Sequence, residues 1–184
     1  MGTPRFDPTH SLEFNFDRGT VKLGGQSERV LVPADVLASL LKGADADTRK
    51  DFAYRLGTEA GRRVGERIDG TASIPEVVEH LGGELALMGL GSLGLERWGR
   101  ALVITVVGSP LRAEGDDLLA GIIEGAFQRA FGRSSTVVPI QRDDALARLL
   151  VVSKRTAERV RGWLDSGVTF GDVLARLNGE GRSS

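Results

Sequence analysis

The chain has 184 residues, of which 41% are hydrophobic and 27% charged, the composition of a globular domain long enough to bury a core. Its formal net charge of -1 carries no overall signature of a nucleic-acid or membrane-surface binder. It has no cysteine, which excludes disulfides, thiolate metal ligands, cysteine nucleophiles and S-acylation, and which fits a reducing cytosol.

Residues 1–10 are polar, are expected to be flexible, and show no apolar secretory segment. Leu12, Phe14 and Phe16 alternate with polar residues, as in a half-buried strand. Asp17-Arg18-Gly19 then turns the chain into a returning strand at Thr20–Leu23. Pro33 stands where a helix would begin, with Val36, Leu37, Leu40 and Leu41 as its apolar stripe. A longer helix is predicted over residues 47–68, with Phe52, Leu56, Ala60, Val64 and Ile68 four residues apart. Ser73-Ile74-Pro75-Glu76 starts a third helix that runs to about Met88.

Two strands follow at residues 93–97 and Ala101–Val107, joined at Trp98-Gly99-Arg100. Neither of these nor any other apolar run is long enough to span a bilayer, so a soluble, cytoplasmic protein is expected. Asp116 or Asp117 can cap a helix ending at Phe131. A second hairpin is predicted from residues 135–142 and 145–152 around Asp143-Asp144. Residues 153–165 and 169–177 read as helices, with the last residues, 179–184, frayed. The order predicts an α+β fold: a four-stranded antiparallel sheet packed against a helical layer, with an N-terminal β-hairpin and a C-terminal helical tail. Residues 1–152 form the expected domain and 153–184 the tail.

Gly57, Gly61 and Gly65 stand four residues apart on the second helix, and Gly121 and Gly125 repeat the spacing later. Each interior glycine costs about 1 kcal/mol of helix propensity against alanine, so close approach of another backbone is the expected compensation. The approach can be intrachain packing, which the sequence favours, or a subunit interface. Gly89-Leu90-Gly91-Ser92-Leu93-Gly94 matches G-x-G-x-x-G, but a helix precedes it and a strand follows. A dinucleotide fingerprint needs the reverse order, so no cofactor is expected and the glycines are read as a turn into the sheet.

Catalytic constellations are nearly absent. His10 lies in the polar N-terminus, and His80 lies one turn after Glu76 on the third helix and is read as an ordinary solvated or capped histidine. No metal site and no G-x-S-x-G elbow is found, and the neighbouring carboxylates Asp116-Asp117 and Asp143-Asp144 are read as caps or turns. Trp98 and Trp163 are read as packing residues. The tail outlines a helix-turn-helix, but its six basic residues against four acidic ones net only +2, so nucleic-acid binding is not expected. Its apolar face, with Trp163, Phe170, Leu174 and Leu177, must be buried against the domain, a second subunit or a partner protein.

Phe52–Gly65, the helix ending in Gly89-Leu90-Gly91, the two strands closing on Gly108-Ser109-Pro110 and the helix over residues 118–131 together resemble the 4-vinyl-reductase-like ligand-binding domains. These share a superfamily with core subunits of the TRAPP vesicle-tethering complex, and the resemblance spans residues 12–152. It implies helices on one side of a four-stranded antiparallel sheet, frequent homodimers, an apolar cavity between helices and sheet, and, in bacterial members, small-molecule sensing. Residues 137–152 lack the cysteines that many such domains carry in the last hairpin, so neither metal binding nor lipid attachment is implied there. The resulting expectation is a non-enzymatic, dimeric module for an apolar small molecule or a protein partner. The competing readings are a scaffold without ligand, a DNA-binding regulator acting through the tail, and an enzyme whose centre the sequence does not reveal.

Overall fold

A computed structural model describes residues 12–24, 27–68, 70–132 and 134–180; His10, the polar N-terminus and the end of the tail lie outside the described residues. The fold is α+β. Strands β1 (Leu12–Asn15), β2 (Thr20–Leu23) and β3 (Ser27–Arg29) form a small antiparallel sheet, so the predicted hairpin gains a third strand. The short helix α1 (Ala34–Gly43) follows, then α2 (Ala46–Gly65) and α3 (Ile74–Leu87). The main sheet comprises β4 (Ser92–Trp98), β5 (Ala101–Val107), β6 (Thr136–Asp143) and β7 (Leu146–Val152), antiparallel throughout in the order β4-β5-β7-β6. Helix α4 (Asp116–Phe131) joins its two hairpins, and α5 (Lys154–Asp165) and α6 (Phe170–Glu180) close the chain.

The helix starts follow from side-chain caps. Asp45 accepts from the Thr48 amide at 2.9 Å, and Ser73 and Glu76 cap each other's amides in a reciprocal box with proline in the first turn. Ser153 does the same for α5 through Thr156. Helix α4 differs from expectation: its cap is Gly115, and Asp116 instead takes a two-pronged ion pair from Arg142 on β6. The helix ends on Gly132 at φ 64, a left-handed conformation that glycine adopts without penalty.

Each residue pair along a strand faces opposite sides of a sheet. Ile104, Val137 and Leu149 join the core shared with α2, α3 and α4. Their neighbours Val103, Val138 and Leu150 join a second core with Ala157, Val160, Val173 and Leu174. Helices α5 and α6 are therefore a second layer of the same fold, and the sheet lies between two helical layers rather than against one. Pro139 sits in edge strand β6, where a missing amide costs nothing in the ladder, and the register slips between it and Gln141.

The first helix departs from its sequence pattern. It buries no residue: Val36 and Leu40 of the expected stripe face solvent, with Leu40 72% exposed, and Leu41 packs against the core only in part.

Candidate functional site

The glycines of α2 and α4 meet each other's helix. A Cβ on Gly61 would come within 2.6 Å of the Ala126 carbonyl oxygen, and one on Gly121 within 2.7 Å of the Ala53 side chain. Gly57 and Gly125 lie closer still, against the carbonyls of Ile122 and Tyr54. Four of the five ladder glycines are thus occupied by intrachain packing, while Gly65 faces open space. The Gly89–Gly94 segment joins α3 to β4, the reverse of a dinucleotide-binding turn.

The four tail residues offered to a partner lie on the sheet. Leu174 is buried, and Trp163, Phe170 and Leu177 pack around the second core. Phe170 meets Trp98 edge-on at 5.4 Å, and the Asn178 side chain bonds the main chain of the β4–β5 turn at Trp98 and Arg100. Trp163 does more than fill space, since the guanidiniums of Arg159 and Arg176 stand 5.1 and 5.3 Å from its ring. A helix pair whose apolar stripe covers a sheet is a structural layer before it is a recognition element.

His80 is buried, 4% exposed, which corrects the solvated reading. One turn along α3, Glu84 is fully buried and receives Arg63 at 2.7 Å, with Arg67 as a second partner. Arg63 also donates to the Leu23 carbonyl at 2.9 Å, which ties the N-terminal sheet to α2 and α3. Both positions were legible as charges inside apolar stripes, Arg63 between Ala60 and Val64 and Glu84 between Leu81 and Leu85.

The space between the main sheet and α2–α4 is filled by Leu81, Leu85, Ile104, Leu119, Ile122, Ile123 and Leu149, all at most 1% exposed. Among the described residues, these side chains take up the layer in which the resemblance implies an apolar cavity. A concavity lies beside it, at the edge where α1, the start of α2, α4 and β6 meet. It is a cleft of about 560 Å³, within the range of small-molecule sites. Its floor is apolar: Leu111, Leu118, Ala120 and Val137. Its rim is charged, with Lys42, Arg49, Lys50, Arg112 and Arg161 among Glu114, Asp117 and Glu124. The lining includes no hydroxyl, thiol or imidazole side chain. These residues come from six separate segments and share no motif, so no local pattern in the sequence marks them.

Among the described residues, no group of three or more histidine, cysteine, aspartate or glutamate side chains could hold a metal ion, and no helix is long and apolar enough to cross a membrane. No family model matches the sequence, and no curated protein sequence matches it. In structure the chain is similar to the phenol-responsive sensory domain of the transcription activator PoxR, solved with phenol, at a TM-score of 0.61 and 12% identity. The match covers 78% of this chain and 86% of that one, which establishes a shared fold.

Proposed function

We propose that the chain is a non-enzymatic sensory or regulatory module, cytoplasmic and dimeric, whose cleft under α1 takes a small molecule. One observation carries this reading: the cleft has core residues for a floor and, for a roof, a helix that buries none of its own residues. Arg49 fastens the C-terminal end of that roof through the carbonyl of Ala44 at 2.6 Å. The rest of α1 can close on a ligand and gain burial against it, which is how binding would become a change of surface. The likeness to a phenol-responsive sensory fold supports a sensory ligand-binding role.

A second reading, a protein-interaction scaffold, is favoured by the exposed apolar run of Val30, Leu31, Val32, Val36 and Leu40. The same surface supports self-association. Native mass spectrometry of protein purified from its own host separates the two readings. A dimer carrying a stoichiometric small-molecule adduct is expected; a monomer free of adduct would overturn the proposal, and a bare dimer would transfer it to the scaffold.

A further inference from the structure

The charges around the cleft point beyond a generic small molecule to a class. Five basic residues line it against three acidic ones, a local excess of two in a chain whose net charge is -1. Some of these charges are already engaged. Arg49 is bonded to the end of α1, and Glu124 accepts from the Val137 amide at 2.7 Å. Lys42, Lys50, Arg112 and Arg161, by contrast, have no ion-pair or hydrogen-bond partner among the described residues. They come from α1, α2, the turn before α4, and α5, so four separate segments converge their cations on one apolar floor.

Resting on the cleft reading above, we infer that the ligand is an amphipathic anion: a carboxylate or phosphate head on an apolar aryl or short acyl body. The body would cover Leu41, Leu118 and Val137, and the head group would lie among the unpaired cations. Charge-assisted bonds from ammonium and guanidinium groups are the natural recognition for such a head. Glu114 and Asp117 on the same rim reduce the excess to two, which still leaves a net positive setting for an anionic head group.

Amide chemical-shift titration of the full chain with octanoate, 1-octanol and octyl phosphate tests this, because the three share one apolar body. Octanoate is expected to shift Gly115 and Gly121 in the lining and to bind about tenfold tighter than 1-octanol, the worth of one charge-assisted bond. The exposed double change Arg112→Gln/Arg161→Gln is expected to remove that margin while leaving 1-octanol binding as it was. Raising salt from about 50 to about 300 mM is expected to weaken octanoate and octyl phosphate but not 1-octanol. Equal or tighter binding of 1-octanol at the same amides would overturn the anionic class and leave the cleft reading standing. Tighter binding of octyl phosphate than of octanoate would support the anionic class with a doubly charged head. If none of the three shifts the lining, both the class and the cleft reading fall.

Discussion

Gly57 on α2 lies against the main-chain carbonyl of Ile122 on α4, with no room between them for a methyl group. The contact sets the distance between the two helices that roof the main sheet, and Gly61 against Ala126 continues it one turn on. Gly57→Ala is therefore expected to destabilise the fold by about 1–3 kcal/mol through overpacking against backbone that cannot yield cheaply. Gly65→Ala, in open space at the end of the same helix, is expected to stabilise by about 0.5–1 kcal/mol. Urea midpoints for the two variants should move in opposite directions, and equal shifts would refute the packing account. Gly61→Leu adds a check on assembly: packed within the chain, it should unfold the protein, whereas a subunit contact would yield a folded monomer by light scattering.

The same residues show how much was legible. The glycine spacing pointed to close helix approach, and Ser73 caps α3 as read, whereas the caps Asp45 and Ser153 were not read and Gly115 stands where Asp116 or Asp117 was expected. The near-continuous apolar run of β5 also held a signal that went unread: Val103 and Ile104 in sequence require cover on both faces of the sheet. That cover is α5 and α6. The N-terminal apolar residues misled in the opposite direction, because the stripe of α1 obeys helical periodicity yet Val36 and Leu40 on it stay exposed among the described residues. The cleft was out of reach, since no local pattern reports that Lys42, Arg112 and Arg161 share one rim.

Glu84 holds two guanidiniums in a buried setting. Glu84→Gln preserves its shape and removes its charge, leaving Arg63 buried without a counter-ion. A loss of about 3–5 kcal/mol is expected, the usual result of breaking a buried pair from one side. Arg67, partly exposed, can turn to solvent, so the double change Arg63→Met/Glu84→Met should recover much of that loss. It would also release the Leu23 carbonyl from Arg63, so the β2 amides should exchange faster in the double variant than in the wild type. Urea unfolding and amide hydrogen exchange report the two effects separately.

Glu59 supplies a pH dependence. Hydrogen bonds from Arg62 are the largest influence and, with its charge and the Arg29 guanidinium, hold the carboxyl below the ordinary value of 4.5 against the opposing effect of burial. The unfolded chain thus binds a proton here before the folded one does. The stabilisation is fully present above pH 4.5 and is lost as pH falls through the lower folded value. Because Glu59 is about one-third exposed, the contribution should stay below about 1 kcal/mol. Glu59→Gln is expected to lower stability at neutral pH and to flatten its decline on acidification. A variant that keeps the full acid slope would assign that slope to other carboxylates.

Removal of residues 153–184 would strip the second helical layer from the sheet. Val103, Val138, Ile140 and Leu150, which α5 and α6 now cover, would form one exposed apolar face in the middle of a four-stranded sheet. Each such side chain is worth about 1.5–3 kcal/mol when fully buried, so the loss exceeds what a domain of this size can spare. The truncated chain is expected to aggregate or to expand, with dye-binding apolar surface, rather than to persist as a trimmed domain. Asn178→Ala grades the same interface more gently. It removes the two bonds to the Trp98 carbonyl and the Arg100 amide, and should cost about 1–2 kcal/mol. If the tail were instead an independent DNA-reading element, truncation would leave a stable fold. The full chain would then bind duplex DNA in a salt-sensitive way that is lost when Lys154, Arg155, Arg159 and Arg161 are neutralised. Burial of Val160, Val173 and Leu174 against the strands argues for the first outcome: the surface that would orient such an element on DNA is already spent on holding the sheet.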